Sequence, residues 1–296
     1  MTRLAPSAIN GRTEKGSLFA DLDGVRRRHA AILAPNWRGR ALTAVIAAAL
    51  AGLFLWGLVV LEFSWLRIWN GLDQLGSFVK LMWPPQYGTE EKLRSYLWAM
   101  AETLSIAFLG TLLAAIIALP LSLVAARNVM TSRMIQFLAR RSFDTIRGVD
   151  TLIWALIWIN VVGLGPFAGI LAIMTSDLAV FGKLFSEAIE NADNKPVEGV
   201  KSTGGTHAHA VRYGIMPQVT PVLISQVLYF FESNTRSATI IGIVGAGGIG
   251  LHLAEQIRIL EWQHVAFLVL LILAAVAIID VISTRLRFAI IGKRAT

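Results

Sequence analysis

Long apolar stretches alternate with shorter polar ones along most of this chain. Six stretches are apolar enough to enter a membrane: residues 41–61, 96–126, 148–162, 167–184, 217–231 and 264–286. The first has no charged residue, and a helix needs about 20 apolar residues to cross the hydrocarbon core of a bilayer. Helices satisfy their own backbone hydrogen bonds in lipid, whereas open strands do not. The pattern therefore predicts an all-α integral membrane protein with six transmembrane helices.

The polar stretches predict how the chain is divided. Residues 1–40 read as a basic tail, and residues 62–95 have the tryptophans and mixed charges of an external or interfacial segment. Residues 96–288 form the main membrane core around a polar loop at 187–217, and residues 289–296 form a second tail. Twenty-one of the 27 Lys and Arg residues lie in residues 1–40, 125–148, 183–213 and 285–296. Because basic residues mark cytoplasmic loops, both termini and the polar loop are predicted to be cytoplasmic.

The composition agrees with a membrane protein, since 55% of the residues are hydrophobic and only 16% are charged. The chain lacks cysteine, and its five histidines have no metal-ligand spacing, so we expect no metal site. The net charge of +8 raises the alternative of nucleic-acid binding. The basic residues are, however, spread over the loops and not gathered on one helix face between aromatic residues. We attribute the charge to membrane topology and expect membrane lipid, but no nucleic acid, as a partner.

The most specific motif lies in the polar loop. It runs Glu198-Gly199-Val200-Lys201-Ser202-Thr203-Gly204-Gly205 and continues to Ile215-Met216-Pro217. The spacing of Glu198, Gly204 and Pro217 resembles the EAA loop of ABC importer permeases, the cytoplasmic segment that docks onto the ATPase subunit. The sequence departs from that motif at Gly199-Val200, where the family has two alanines, and at Gly214, where an aliphatic residue is usual. We call residues 187–217 the coupling loop.

Local features of the coupling loop predict how it folds. Proline suits the start of a helix, so residues 196–203 are predicted to form one short helix beginning at Pro196. Gly199, Gly204 and Gly205 permit a tight turn and a close approach by a partner. An ordinary solvated loop is the alternative, but it does not explain the long pattern of spaced residues. His207 and His209, two positions apart, are expected to be solvated and not metal ligands.

Further stretches extend the resemblance over residues 96–286. They are Glu102-Thr103-Leu104 to Asn128, Arg236-Ser237-Ala238-Thr239, and Gly242 to Gly250. Together they look most like the permease of a phosphonate importer with a type I core. That resemblance implies a homodimer of this chain, two ATP-binding-cassette ATPase subunits and an extracytoplasmic substrate-binding protein. It also implies that ATP and Mg bind to the ATPase. The chain itself has no P-loop motif, so we predict no cofactor and no catalytic residue in it.

A glycine run follows the fifth apolar stretch, with Gly245, Gly247, Gly248 and Gly250 in a literal GxGxxG pattern. The residues around the motif do not fit a dinucleotide-binding site, because that fingerprint needs a βαβ unit and an acidic residue about 20 positions later. Residue 270 is a leucine inside an apolar stretch. Two alternatives stay open: an outward-side loop near the mouth of the transport pathway, and close helix packing through small residues.

Three polar residues directly after residue 231 are candidates for the translocation pathway: Glu232, Asn234 and Arg236. The guanidinium of Arg236 can bind phosphorus oxyanions with two parallel hydrogen bonds. The alternative is a structural ion pair with Glu232 one helical turn away. Glu102 is expected to cap a helix or to pair with Arg94.

These observations predict a permease subunit in the inner membrane that moves a phosphonate, phosphite or phosphate by alternating access. A separate ATPase would supply the energy. The sequence does not distinguish among these tetrahedral oxyanions. Two alternatives from other classes are an ATP-independent channel or secondary transporter for a small anion, and a membrane enzyme acting on lipid phosphate. The enzyme alternative lacks the cluster of His, Asp or Glu residues that such chemistry needs.

Overall fold

A computed structural model describes residues 37–130 and 132–292, including all their side chains except those of Arg38 and Ile291. Most of the predicted basic tail and residues 293–296 of the predicted C-terminal tail lie outside these ranges. Every regular element in the described ranges is helical, which confirms the predicted all-α class. The chain divides into two units, residues 1–74 and residues 75–296.

The first unit contains the predicted first span. Helix α1 (Trp37–Val60) has 24 residues and therefore a length of about 36 Å, enough to cross a bilayer. Helix α2 (Trp65–Leu81) begins in this unit and ends in the second. Arg67, within α2, forms an exposed ion pair of 2.9 Å with Glu62, which lies just before the helix. The predicted external segment 62–95 thus contains an unpredicted helix with tryptophans at its start, which is the composition of an interfacial helix.

The second unit contains the remaining helices. They are α3 (Glu90–Ala125), α4 (Arg133–Arg147), α5 (Thr151–Val162), α6 (Pro166–Glu190), α7 (Asn194–Ser202), α8 (His207–His209), α9 (Met216–Ile243), α10 (Ile249–Arg258) and α11 (Trp262–Gly292), with a π-helical turn at Ala210–Ile215 between α8 and α9. Thr89 caps the start of α3, and its hydroxyl accepts the Lys92 N–H at 3.3 Å. Four segments of this unit are long and apolar enough to cross a membrane: α3, α6, α8 to α9 taken together, and α11.

The core of this unit lies where α3, α6 and α9 meet. Small buried residues on α3, such as Ala114 and Ala118, face the aromatic side chains of Phe181 and Phe185 on α6. A Cβ added to Gly110 would lie 2.8 Å from the Cβ of Ile173, so the two helices approach closely at that point. Small residues allow such close backbone contact between membrane helices.

The third predicted span, residues 148–162, is too short to cross a membrane by itself. The predicted basic loop at 125–148 contains α4, and the predicted span 148–162 corresponds to α5, which has only 12 residues and a length of about 18 Å. Helices α4 and α5 meet at 88°. The described part of the chain therefore has five helices that can cross a membrane, or six spans if this bent pair counts as one. Asp150 accounts for the break, because its carboxylate accepts the Leu152 N–H at 2.8 Å and starts a new helix.

The fifth predicted span is too short. It was predicted to end at residue 231, whereas α9 continues to Ile243. The polar residues that suggested its end have partners inside the unit, so they need no exposure to water. The glycine-rich stretch after residue 231 is likewise mostly helical, since it also contains α10.

Candidate functional site

The coupling loop contains the predicted short helix, displaced by one or two residues. Helix α7 spans Asn194–Ser202, and the carboxylate of Asp193 caps it by accepting the Lys195 N–H at 3.1 Å. Pro196 is thus the third residue of the helix and not the first, as predicted. An Asp is among the best N-caps, because its oxygen satisfies an N–H that has no partner within the helix.

The glycines after α7 form its C-terminal turn. Gly204 has φ +80°, which favours glycine, and its N–H donates to the Lys201 carbonyl at 3.0 Å. The N–H of Gly205 donates to the Val200 carbonyl at 3.1 Å, and a Cβ on Gly205 would come within 2.7 Å of that oxygen. Gly199 differs, because a Cβ there would contact nothing within 4 Å. Glu198 and Gly199 are exposed on α7, so this face is open to a partner.

Two contacts join the coupling loop to the core, and a third holds the two halves of the loop together. Gln218, on the first turn of α9, bonds to the Asp193 N–H and carbonyl and to the Gly214 carbonyl, the last at 2.6 Å. Ile215 is buried in the core cluster with residues of α3 and α6. A Cβ on Gly214 would lie 3.0 Å from the Cα of Val197, which explains glycine at a position where the family prefers an aliphatic residue. Pro217 lies exposed beside these contacts at the start of α9.

The second half of the coupling loop is continuous with α9. Residues 207–243 form one helical segment of 37 residues that includes the π-helical turn. Thr206 begins it with a capping box, in which its hydroxyl accepts the His209 N–H at 3.4 Å. The Nε2 of His207 lies 2.9 Å from the Val129 carbonyl, after the end of α3. Because a carbonyl only accepts, this nitrogen carries the proton. Both histidines are exposed, as expected, although they lie on a helix.

The predicted ion pair between Glu232 and Arg236 is present at 3.5 Å. A second arginine, Arg287 of α11, binds the other oxygen of Glu232 at 3.2 Å and lies 5.8 Å from the ring centre of Tyr229. The Glu232 side chain is only 11% exposed, whereas that of Arg236 is 51% exposed. One carboxylate thus faces two guanidiniums, and the accessible charge at this point is positive.

Asn234 belongs to a different contact. Its amide donates to the Thr111 hydroxyl of α3 at 2.8 Å and to the Asp177 carboxylate of α6. All three side chains are buried, so hydrogen bonds across three helices replace those with water. The predicted pathway residues therefore separate: Glu232 and Arg236 form an ion pair, while Asn234 is enclosed in the core.

Sequence reasoning missed Asp177 and Arg287. Asp177 is the only acidic residue between Phe167 and Leu184, and an acid inside an apolar stretch is a signal that could have identified it. The sequence pattern marks Arg287 only as one of the basic residues in the stretch 285–296. Its pairing with Glu232 joins positions 55 residues apart, and no local pattern reports such a distance.

The glycine run has a structural role. Gly245, Gly247 and Gly248 have φ values of +107°, +83° and +72°, which L-residues with side chains avoid. The N–H of Gly248 donates to Glu102 Oε1 at 3.1 Å. Glu102 therefore binds the residue at which α10 starts, so the expectation that it caps a helix is confirmed and the alternative pairing with Arg94 is not.

Close packing also explains Gly250. A Cβ there would lie 2.0 Å from the carbonyl oxygen of Thr239, so α10 can contact α9 only without a side chain at this position. The N–H of Ile249 donates to the Thr103 hydroxyl at 2.8 Å. Residues 37–130 and 132–292 contain no strand, so the βαβ unit of a dinucleotide site is absent from the described chain.

A cavity of about 520 Å³ lies beside the glycine run. Its polar lining includes Glu102, His252 and Arg258. The location of this run near the pathway mouth stays a prediction.

Within the described ranges, no group of three or more His, Asp or Glu side chains could hold a metal ion.

Comparison with known proteins gives the context for this geometry. Residues 118–292 match the family described as binding-protein-dependent transport system inner membrane component. The protein HtxC of Stutzerimonas stutzeri, named for a phosphite transport system, is 39% identical over 239 residues, which cover 81% of this chain and 83% of HtxC. The phosphite transport system permease protein PtxC of the same organism is 35% identical over 74% of this chain and 78% of its own length.

A third relative is the phosphate-import permease protein PhnE of Mycolicibacterium smegmatis. It is 33% identical over 74% of this chain and 40% of its own length. Among solved structures, the inward-facing MetNI methionine ABC transporter has a TM-score of 0.59 at 18% identity, with 68% of this chain and 99% of that chain covered. The structural likeness supports the membrane-permease fold.

The family match decides between the functional classes left open by the sequence. In systems of this kind, ATP is bound and hydrolysed by a separate ATPase subunit, and an extracytoplasmic protein binds the substrate. An ATP-independent channel and a lipid-phosphate enzyme are therefore excluded as descriptions of this chain. The chain belongs to the family of binding-protein-dependent transport system inner membrane components and is the multi-pass permease subunit of an ABC importer.

Proposed function

We propose that this permease imports a phosphorus oxyanion, with phosphite, phosphonate and phosphate as the candidate substrates. The support is twofold. The relatives HtxC, PtxC and PhnE are named for phosphite and phosphate transport systems and cover most of this chain. In the described core, the accessible charge beside Glu232 is the guanidinium of Arg236, which suits an anion.

The observation that carries the proposed mechanism is the connection between the coupling loop and α9. Glu198, Gly199 and Gly204 provide the exposed surface on which the ATPase docks. Gln218 and Ile215 join that surface to the core. Because the second half of the loop is helical and continuous with α9, a displacement of the docked surface moves α9 relative to α3 and α6. This movement would expose the pathway alternately to each side of the membrane.

In this proposal, two copies of the chain form the permease, with both termini and the coupling loop in the cytoplasm. An importer of this class carries two ATPase subunits, and one chain offers one coupling loop. The distribution of Lys and Arg supports the orientation, since most of them lie on the side of the coupling loop. The glycine run, with Gly245, Gly247, Gly248 and Gly250, then lies on the outward side, near the substrate-binding protein.

The pathway in this proposal passes the exposed side of Arg236. Two copies of this residue in a homodimer would present two guanidiniums to an anion, and Glu232 would moderate their charge. A weak site of this kind lets an ion enter and leave, whereas a tight one would retain it. Asn234 supports the pathway from inside the core through Thr111 and Asp177.

The test is transport by the complete importer in liposomes that contain this chain, its ATPase and its binding protein. We expect one of phosphite, phosphonate or phosphate to stimulate ATP hydrolysis and to accumulate in an ATP-dependent manner. Gly204→Val should abolish this stimulation, because a β-branched residue does not adopt φ +80°. Gly204→Asn, which tolerates that conformation, is the control. Failure of all three oxyanions with an importer that hydrolyses ATP would refute the proposed substrate class.

A further inference from the structure

A second cavity, of about 750 Å³, lies between the segment that follows α3 and the first turns of α4. All the charged or titratable residues among those lining it are basic: Arg127, Arg133, Arg140 and His207. The remaining lining includes the amide side chains of Asn128 and Gln136. The cavity is thus a concave surface with positive charge and several hydrogen-bond donors.

In the described chain, one carboxylate is bonded to residues that line this cavity. Glu190, at the end of α6, forms an ion pair with Arg140, and its Oε1 also accepts the backbone N–H of Arg127 at 2.6 Å. The Nε of Arg140 donates to the Ala125 carbonyl at 3.0 Å, which orients its guanidinium. In the part of the chain that the structure describes, the exposed side chains of Arg127 and Arg133 contact no carboxylate. Of the three guanidiniums, that of Arg140 is paired with Glu190, and those of Arg127 and Arg133 are available to a ligand.

We propose that this cavity binds a phosphate-type oxyanion between Arg127 and Arg133. Planar guanidiniums match the geometry of phosphate oxygens and bind them with paired, charge-assisted hydrogen bonds. Two sources share this chemistry: the headgroup of an anionic phospholipid and a free oxyanion in the cytoplasm. The cavity is separate from Arg236 and from the cavity beside the glycine run.

The location of the cavity implies a regulatory consequence, which rests on the function proposed for the coupling loop. His207 lies in the wall of the cavity and in the coupling loop, and it donates to the Val129 carbonyl on the opposite side. An anion bound here contacts the α3–α4 segment and lies against His207. It therefore restrains the coupling loop relative to the core and changes the rate of ATP hydrolysis.

The binding test uses the double variant Arg127→Gln/Arg133→Gln, with Arg147→Gln as the control. Arg147 is an exposed arginine at the end of α4 and does not line the cavity. Inorganic phosphate is titrated calorimetrically into the chain in neutral detergent, and phosphatidylglycerol binding is measured by native mass spectrometry. We expect one ligand to lose at least about tenfold in affinity in the double variant only, because each arginine supplies charge-assisted hydrogen bonds. The ligand that responds identifies the source.

Equal binding of both ligands by the double variant and the control would overturn the proposed site. The regulatory consequence is tested in the complete importer, in nanodiscs with and without phosphatidylglycerol and at increasing internal phosphate. It is wrong if the double variant loses ligand binding but its ATP hydrolysis responds as in the control. Because the binding measurement uses the permease chain alone, it does not depend on substrate transport. A failure of this site is therefore distinguishable from a failure of the proposed function.

Discussion

The side-chain amide of Gln218 binds both backbone polar groups of Asp193: Oε1 accepts the N–H at 3.0 Å, and Nε2 donates to the carbonyl at 3.1 Å. Asp193 in turn caps α7, the helix with the exposed docking surface. One amide on α9 therefore holds the start of α7 to the first turn of α9.

Replacing Gln218 by Glu should uncouple ATP hydrolysis from transport. The variant keeps an acceptor for the Asp193 N–H but loses both donated hydrogen bonds, each with a net contribution of about 0.5–1.5 kcal/mol. We expect the ATP consumed per transported ion to rise by at least about twofold for a loss of this size. Thr220→Val is the control, since its hydroxyl bonds only to its own helix at Met216. An unchanged ratio would show that this amide does not transmit the movement.

Arg287 and Arg236, the two arginines paired with Glu232, should have different roles, the first in stability and the second in anion uptake. Arg287 is 25% exposed and holds Glu232 to α11, so Arg287→Gln should lower stability by about 1–3 kcal/mol as a partly buried pair is broken. Arg236 is 51% exposed, so Arg236→Gln should leave stability nearly unchanged and reduce anion uptake. Thermal midpoints in detergent and initial uptake rates measure the two effects. The same pattern for both variants would contradict this division of roles.

The buried contact of Asn234 predicts an asymmetric response at Asp177. Asp177→Asn keeps an oxygen that can accept from Asn234, so the change in stability should be small. Asp177→Leu removes the acceptor and leaves part of a buried amide unsatisfied, at a cost of about 1–3 kcal/mol. A double-mutant cycle of Asp177→Leu with Asn234→Leu, followed by thermal unfolding, measures the coupling. Additive effects would mean that the contact contributes nothing to stability.

Two glycines in helices should respond oppositely to alanine. In Gly250→Ala the new Cβ would meet the Thr239 carbonyl at 2.0 Å, so α10 must move, at a cost of about 1–3 kcal/mol. In Gly199→Ala the new methyl meets nothing within 4 Å, and alanine should stabilise α7 by about 0.5–1 kcal/mol. Thermal unfolding tests both variants. ATPase co-purification with Gly199→Ala then reports whether the docking surface accepts a methyl group.

The class of fold and the coupling loop could be predicted because their signals are local. A run of about 20 apolar residues is typical of a membrane helix, and Gly204 favours a turn because glycine accepts a positive φ. Element ends were less predictable, as α5 and α9 show. The polar residues after residue 231 read as the end of a span, but Glu232 and Asn234 are satisfied by side chains on other helices.

The sequence by itself determined that this chain is a helical membrane permease with an exposed polar loop that contains a short helix, because hydrophobic runs and short motifs act over a few residues. Only the tertiary structure decided which polar groups meet: Gln218 with Asp193, Arg287 with Glu232, Asp177 with Asn234. Such pairs are set by how helices pack, and packing depends on the shapes of all the facing side chains. A polar residue in an apolar stretch indicates that a hydrogen-bond partner is needed, because burying an unpaired polar group is costly. Which residue is that partner depends on the tertiary fold.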